Sequence, residues 1–402
     1  LFLRQKLTGY ADEQLLSVYR DYGVIPKSSR DDNHNKESDD LSGYQLVTEG
    51  SLVTNKMKAW QGSIAISRYR GIVSPAYYVY KPLSEECDQF LHYLLRSEPY
   101  IALYGRISKG VRVNQWDLEH EALRNVPVML PDYNVQKAIA DFLDRETARI
   151  DQLIEKKQKL VGLLKEKYKA EKKRLVFDLG NQLVERSASA VSWFPDLPSH
   201  WRFMRSAHIF NNLDSRRIPL SAEQRGDLAK VYPYYGASGI IDAVDDYLFD
   251  EDTILVGEDG ANLVMQSTPI AFKASGKYWV NNHAHILVPR FGDFEYWIHA
   301  LNEVPYEVFV TGSAQPKLTS AVLGNIRLPV PPSEEQTEIA NRIETMGLRV
   351  NAAIDPVRAS MERLKEYRAA LITAAVTGQI DVETWGKSGH TDRRLDQIEE
   401  DM

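Results

Sequence analysis

The chain has 402 residues, of which 43% are hydrophobic and 26% charged, a composition typical of a globular protein with two or more domains. Its single cysteine, Cys87, excludes an internal disulfide and fits a reducing cytoplasm, where we expect the protein to reside. No apolar run is long enough to cross a bilayer and no signal peptide is found, so we expect no membrane association. The net charge of −7 does not exclude nucleic acid, because binding depends on where the charges lie.

A repeat with a period of 200 residues organises the chain. When the sequence is shifted by 200, 14 of the 56 positions from residue 115 to residue 170 are identical, without a gap. Each copy contains a strand-and-loop region, a helical stretch, an apolar strand that ends in prolines, and a long helix. This order predicts a fold with an internal pseudo-two-fold repeat.

The elements before the long helices are predicted from periodicity and turn residues. In the first copy, residues 63–69 and 73–79 have the pattern of short strands, and residues 88–103 that of a helix. In the second copy, residues 284–288 are predicted to form a strand and residues 295–308 a helix. Both copies therefore indicate a mixed α/β (α+β) fold.

The long helix is the clearest element of each copy. In the second copy, two seams recur every seven positions: Ile343, Val350, Val357, Leu364 and Leu371, and then Met346, Ala353, Ser360, Tyr367 and Ala374. The first copy has one interrupted seam: Leu143, Ile150, Leu153, Leu160 and Leu164, with Lys157 and Lys167 between them. This spacing predicts an antiparallel coiled coil of the two helices, and the alternative is a solvated amphipathic helix in each domain.

Local signals mark the ends of these helices. Ser333 is a predicted N-cap followed by acidic residues, and Gly180 and Gly378 are predicted to close the first and second helix. Pro356 lies inside the second helix, where it removes a hydrogen bond, and we expect it to kink the helix.

The chain divides into five predicted segments. They are a first globular domain (1–130), a first long helix (131–180), a second globular domain (190–329), a second long helix (330–380) and an acidic tail (381–402). We expect the tail to be flexible, like the acidic residues 31–40. Since the chain starts at Leu1 and not at Met, we expect it to lack its natural start. The first copy has no counterpart of residues 198–201, so its first strand is expected to be missing.

No catalytic constellation is found in the sequence. It contains no Asn-Pro-Pro-aromatic motif for base methylation, no Gly-rich loop for S-adenosylmethionine and no Walker A motif. His283 and His285 are predicted to lie on one face of a strand, but no further ligands are nearby, so a structural or DNA-contacting loop is the better interpretation than a metal site. Residues 257–260 are predicted to form a tight turn and not a phosphate cradle, because their carboxylates repel phosphate.

Several motifs resemble the specificity subunits of type I restriction–modification enzymes. The pattern Leu-Pro-x-x-x-x-Gln-x-x-Ile-Ala at residues 130–140, with its second version at 330–340, is similar to the conserved regions of that family. Further similar segments are residues 197–201 and 371–381. Residues 55–62 and 71–76 resemble one variety of target recognition domain. Residues 234–239, 256–260 and 312–315 resemble another variety.

The resemblance implies two α/β target recognition domains separated by a long antiparallel coiled-coil pair. Each domain would read one half of a bipartite site in double-stranded DNA. The helices would dock two methyltransferase subunits, and translocase–nuclease subunits would join for cleavage. The chain itself would be non-catalytic and would bind no cofactor or metal, since S-adenosylmethionine, ATP and Mg²⁺ would be bound only by the partner subunits. The alternative is a coiled-coil scaffold with two protein-binding domains and no role in DNA binding.

Residues expected to contact DNA combine donors and aromatic side chains with flexible loops, because Arg and Lys bind guanine, Asn and Gln bind adenine, and all bind phosphate. In the first domain they are Lys56, Lys58, Trp60, Gln61, Arg68, Arg70, Lys109, Arg112, Asn114 and Gln115. In the second domain they are Tyr235, Ser238, Lys273, Lys277, Tyr278, Asn282, Ser313, Gln315 and Lys317. For any one of them, a solvated surface position is an equally good interpretation, so the loops are stronger predictions than their members.

Overall fold

The structure, a computed structural model, describes residues 1–30, 38–112, 115–178, 185–191, 193–226, 228–310 and 316–400. The chain forms two compact units. The first comprises Leu1–Leu160 and Asp355–Met402, and the second comprises Val161–Ile354. Each unit therefore combines the globular part of one copy with a portion of both long helices.

A four-stranded antiparallel sheet lies in the core of the first unit. In sheet order its strands are Phe2–Gln5, Tyr77–Pro82, Leu52–Asn55 and Ile64–Ile66. Three two-stranded ladders join Leu16–Tyr19 with Gly23–Pro26, Gln45–Val47 with Gly71–Val73, and Lys109–Arg112 with Gln115–Asp117. The helices before the long one are Asp88–Leu95, Glu98–Ile107 and His120–Arg124.

Two predictions for the first unit are corrected by turns. The predicted strand 73–79 is two strands, because Pro75 lies in the turn between Gly71–Val73 and Tyr77–Pro82. The predicted helix 88–103 is two helices. Pro99 lies in the first turn of the second helix, where its missing N–H needs no partner, but it cannot continue the first helix.

The second unit contains a sheet of the same order. Its strands are Phe210–Asn212, Ala284–Pro289, Thr253–Gly257 and Ala271–Ala274. The register is also the same. Ile254 faces Leu287 across the central strands, and Leu52 faces Tyr80 in the first unit. The repeat therefore extends into strand-and-loop regions in which the two copies have diverged in sequence.

Further elements surround this sheet in the second unit. A second sheet has the order Gly239–Val244, Tyr232–Gly236, Lys277–Val280 and Phe249–Asp250, with a parallel central pair. Two ladders join Arg186–Val191 with Phe194–Pro198, and Arg202–Arg205 with Arg327–Val330. The helices are Ser206–Ile209, Ala222–Gly226, Asn262–Met265, Phe294–Asn302 and Ser320–Asn325. The 3₁₀ turns of the two units are Lys27–Ser29, Ala59–Gln61, Asp214–Arg216 and Tyr306–Val308. The predicted helix 295–308 thus ends early, and Pro305 precedes the last of these turns.

One ladder has no equivalent in the first copy. Strand Arg202–Arg205 follows residues 198–201 and pairs with Arg327–Val330. Residues 127–130, which precede Arg327–Val330 by 200 positions, are described by the structure and form no strand.

The two long helices, which we call the central helix (Tyr133–Asp178) and the distal helix (Ser333–Val376), run antiparallel. In the first unit, the Arg368 guanidinium Nε lies 2.9 Å from the Asp151 carboxylate. In the second unit, a Cβ placed on Gly347 would lie 3.2 Å from the Tyr168 hydroxyl oxygen. Higher-numbered residues of one helix thus face lower-numbered residues of the other, as predicted.

The predicted seams are mostly confirmed and are corrected in the central helix. Leu143 and Ile150 are fully buried, but Leu160 is 44% exposed. Ile154 and Val161 are buried instead, each one residue after the predicted position. In the distal helix, Ile343, Val357, Leu364 and Leu371 are buried, Val350 is half-buried and Ala353 is exposed.

Pro356 and Gly378 have different consequences for the distal helix. Pro356 lies within one helix that continues from Ser333 to Val376. Gly378 has a φ of 70°. Its N–H donates to the Ala375 carbonyl at 3.3 Å, and the Gln379 N–H donates to the Ala374 carbonyl at 2.9 Å. Glycine adopts this left-handed conformation without strain and closes the helix, as predicted. Gly180 lies outside the described residues.

Most of the described part of the tail is helical, where the sequence predicted a flexible segment. Helices Val382–Lys387 and His390–Glu400 follow the distal helix, and Leu395 and Ile398 are buried in the core of the first unit. The Lys157 ammonium, which interrupts the apolar seam of the central helix, forms an ion pair with the Glu399 carboxylate at 3.0 Å. The sequence suggested disorder because many residues of the tail are charged. The two apolar side chains that pack on the core lie on one face of a short helix, and composition alone does not reveal this spacing.

Candidate nucleic-acid interface

Four loops of the second unit meet at one end of its central sheet. We call them the loop cluster: residues 236–239, 257–260, 281–283 and 316–317. Glu258 N–H donates to the His283 carbonyl at 2.9 Å, and Gly260 N–H donates to the Pro316 carbonyl at 3.1 Å. A Cβ on Gly257 would lie 2.9 Å from the Ala237 carbonyl oxygen, so glycine permits this close approach of two loops.

A charged network lies beneath the loop cluster. The Arg217 guanidinium contacts the Glu258 carboxylate at 2.6 Å, and the Lys317 ammonium contacts the same carboxylate at 3.3 Å. Burial opposes ionisation of Glu258, but the hydrogen bond from Arg217 and the nearby His285 hold its pKa below the ordinary value. Glu258 is therefore a carboxylate that neutralises these bases and orders the loop.

The two histidines do not share a face, contrary to the prediction. The strand starts at Ala284, so His283 belongs to the preceding turn, is 46% exposed and contacts Asp259 at 2.7 Å. His285 is 1% exposed and bonds the Asp214 carboxylate and the Leu318 carbonyl. Among the described residues, no group of three or more His, Cys, Asp or Glu side chains is arranged to hold a metal ion.

Three of the predicted contact residues lie in the loop cluster. Ser238, Asn282 and Lys317 are exposed there. Tyr235 is half-buried and stacks on Phe272 at 6.1 Å between ring centroids, so it supports the cluster from below. Ser313 and Gln315 lie outside the described residues.

The other predicted residues of this domain lie away from the cluster. Tyr278 is fully buried, its hydroxyl bonds Thr253 at 2.7 Å, and burial raises its pKa to about 12, so it is a core residue and not a surface contact. Lys273 pairs with Asp252 at 2.9 Å, and Lys277 lies over the Tyr247 ring at 4.6 Å.

The sequence interpretation missed an apolar feature beside the loop cluster. Ile240 and Ile241 follow the 236–239 turn and are 62% and 55% exposed. Ile241 lies 3.0 Å from the Cβ position of Gly236, so the pair belongs to the same surface. The two isoleucines lie on the edge strand of the second sheet. A pair of isoleucines within a strand pattern is more typical of core, which is why they were not predicted.

An equivalent loop lies in the first unit. Leu118 N–H donates to the Lys56 carbonyl at 2.9 Å, as Leu318 N–H donates to the Glu258 carbonyl at 2.7 Å. The Trp60 ring contacts the Trp116 ring with centroids 4.8 Å apart, and this partner was not predicted. The 55–62 loop therefore occupies the place that residues 257–260 occupy in the second unit.

The predicted residues of the first unit fall into two groups. Lys58 and Gln61 are exposed in the 55–62 loop, where Lys56 is half-buried. The exposed Lys109 begins the Lys109–Arg112 strand, which pairs with Gln115–Asp117. The side chains of Arg112 and Gln115 and the whole of Asn114 lie outside what the structure describes.

Arg68 and Arg70 are not brought together with this loop. Strands Leu52–Asn55 and Ile64–Ile66 form a hairpin, with the 55–62 loop at one end. Arg68 follows the other end, and Arg70 is engaged there with Glu13 at 2.7 Å. The two arginines are therefore separated from Trp60 by the length of the hairpin.

Comparisons with known proteins identify the family. The family model described as the type I restriction modification DNA specificity domain matches residues 8–161 and 198–354. A protein of Haemophilus influenzae named as a type I restriction enzyme specificity subunit is 31% identical over 139 residues, which are 34% of this chain and 35% of that protein. A protein of Methanocaldococcus jannaschii with the corresponding name is 21% identical over 378 residues, covering 87% of this chain and 82% of that protein.

A solved structure has the same fold. A chain from a study of complex assembly and conformational transition of the type I R-M system matches with a TM-score of 0.58 and 14% identity, covering 94% of this chain and 97% of that chain. In the part of the chain that the structure describes, no helix is long and apolar enough to cross a membrane. The family model covers most of the chain in two copies, and the chain belongs to the family of the type I restriction–modification DNA specificity domain.

Proposed function

We propose that the chain is the DNA-recognition subunit of a type I restriction–modification complex, and that each globular domain reads one half of a bipartite site. The observation that carries this proposal is the equivalence of the two loops beside Leu118 and Leu318. Both copies present polar side chains at the equivalent end of two sheets with the same strand order. Loops held by a rigid scaffold are where binding residues concentrate.

The two loop regions differ in chemistry, which supports the recognition of different sequences. The first unit offers lysines around a pair of tryptophans, whereas the second offers Asn282, Ser238 and Lys317 beside two exposed isoleucines. Lysine favours guanine or phosphate, asparagine favours adenine, and isoleucine favours the thymine methyl group. The sheet is thus repeated in both units, whereas the loop side chains proposed to contact DNA differ.

The helices are proposed as the docking platform for two methyltransferase subunits, and translocase–nuclease subunits complete the complex. In the coiled coil one face of each helix is buried, so the outer faces remain for partners. On those faces Leu163 and Leu348 are 53% and 67% exposed. S-adenosylmethionine, ATP and Mg²⁺ are assigned to the partners, and the chain is proposed to direct their methylation or cleavage without catalysing either.

Selection from a random pool of duplexes tests the function. The full chain, with methyltransferase subunits present, is incubated with the pool at low salt, and the bound DNA is sequenced. We expect a consensus in two parts separated by a fixed gap. Flat enrichment would favour a scaffold with protein-binding domains and no DNA role.

A further inference from the structure

His285 bonds two acceptors inside the second unit. Its Nδ1 lies 2.6 Å from an Asp214 carboxylate oxygen, and its Nε2 lies 2.7 Å from the Leu318 carbonyl oxygen. The carbonyl can only accept. A neutral imidazole carries one N–H and therefore satisfies only one acceptor, whereas an imidazolium satisfies both.

Asp214 is an acceptor because its surroundings favour the carboxylate. Its Oδ1 accepts from the Ile286 N–H at 2.8 Å, and its Oδ2 accepts from the Asn212 amide at 3.0 Å. These two N–H donors favour the ionised form of Asp214 independently of His285.

We propose that His285 is a positioning residue that acts as an imidazolium and holds the loop cluster in the geometry that reads DNA. This inference rests on the proposed function and deepens it. Through Asp214 the ring is tied to the turn after the first strand of the sheet, and through Leu318 to the base of the chain segment that carries Lys317. A ring that lost its proton would leave one of these buried acceptors without a donor.

Other charged residues near the His285 ring are paired with one another. A Glu258 carboxylate oxygen lies 3.8 Å from Nδ1 and adds a second negative charge. Arg217 lies 3.6 Å from Asp214 and 2.6 Å from Glu258, and Lys317 also contacts Glu258. The neighbouring His283 is occupied with Asp259.

The first unit has a tyrosine at the position equivalent to His285 and therefore serves as an internal reference. Tyr78 faces Thr54 in the position where His285 faces Val256. The Tyr78 ring is covered by the guanidinium of Arg4 at 3.9 Å, and a tyrosine has no imidazole that could donate to two acceptors. Only the second domain is therefore expected to respond to pH through this position.

The protonation state is measured by ¹⁵N NMR of the full chain with labelled histidine. His285→Gln assigns the signals by their loss. We expect both ring nitrogens of His285 to carry protons at pH 7. A single N–H at that pH would overturn the proposal, whether or not the chain binds DNA.

The positioning role is measured as discrimination between the selected duplex and duplexes altered in one half-site, from pH 6 to pH 9. The second half-site is the one that changes when residues 206–325 are exchanged. For the wild type we expect discrimination at that half-site to fall roughly tenfold as pH rises, with the first half-site unchanged. His285→Gln is expected to lose that discrimination at every pH.

Two further variants sharpen the result. In Asp214→Asn, the amide can donate to Nδ1, so a neutral ring suffices for Leu318 and the pH dependence should disappear. His208→Gln, at an exposed histidine of the Ser206–Ile209 helix and outside the loop cluster, should keep the wild-type profile. Equal discrimination by wild type and His285→Gln across the pH range would overturn the positioning role. A pool that yields no consensus would instead contradict the proposed function, and the NMR result would still decide the charge of His285.

Discussion

Gln136 and Gln336 make the same two hydrogen bonds in the two units. The Gln136 amide donates to the Pro131 carbonyl at 2.9 Å and accepts from the Cys87 N–H at 3.0 Å. The Gln336 amide donates to the Pro331 carbonyl at 2.9 Å and accepts from the Asp293 N–H at 2.9 Å. Each glutamine thus joins the start of a long helix to the start of the short helix packed on it.

This bridge predicts a stability effect. Both glutamine side chains are buried, so Gln336→Ala leaves a backbone donor and a backbone acceptor without partners. We expect a loss of about 1–3 kcal/mol in the free energy of unfolding of the second unit, measured by urea titration. Asn341→Ala, at an exposed position of the distal helix in the same unit, should change it by less than about 0.5 kcal/mol. Equal effects of the two substitutions would contradict the bridging role.

The folded tail predicts that its apolar residues stabilise the first unit. Ile398 is 1% exposed, and truncating it to alanine should cost about 2–4 kcal/mol, since it leaves a cavity in the core. Hydrogen exchange of the His390–Glu400 helix and of the central helix measures the effect. Asp396→Ala, at an exposed position of the same helix, is the control. A tail that exchanges freely in the wild type would show that the acidic segment is flexible after all.

The placement of the first-domain loop predicts different effects for two basic residues. Lys58→Ala should weaken binding to all sequences and lower the salt dependence of binding by about one charge, because Lys58 lies beside Trp60 in the 55–62 loop. Arg68→Ala should leave both quantities unchanged, since Arg68 lies beyond the other end of the hairpin. Fluorescence anisotropy at several salt concentrations measures both. A loss as large for Arg68→Ala as for Lys58→Ala would refute this placement.

Assembly with methyltransferase subunits should depend on the outer helix faces. Lys165→Glu with Lys365→Glu, or Leu348→Asp, should weaken co-purification with those subunits, while the circular dichroism melt stays unchanged. All three positions are exposed on the long helices. Lys81→Glu, exposed at the end of strand Tyr77–Pro82, is the matched charge reversal outside them. Undiminished pull-down by the helix variants would place the docking surface elsewhere.

The sequence predicted the fold better than the individual site residues, for physical reasons. Heptad spacing and the repeated Ile-Ala segments reflect helix packing, so the antiparallel helices could be predicted. The position of Ile154 and Val161 could not, because apolar residues at Leu153 and Leu160 offer an equally good spacing one residue earlier.

Site residues depend on which loops meet, and that is decided by strand register. Tyr278 is of a residue type that often contacts DNA, yet its strand pairs with Phe249–Asp250 and its ring is buried against Phe249. The role of His285 depends on acceptors 71 and 33 positions away in the chain, and no local pattern indicates them.

The most direct test of the account is an exchange of the second reading surface. Residues 206–325 are replaced by those of another family member, and the ladder of Arg202–Arg205 with Arg327–Val330 is retained so that the domain keeps its frame. Bound duplexes are then selected and sequenced for the parent and the exchanged chain. Two domains that each read one half-site predict that one half of the consensus changes while the other half and the gap stay the same. A change in both halves, or in neither, would contradict the account.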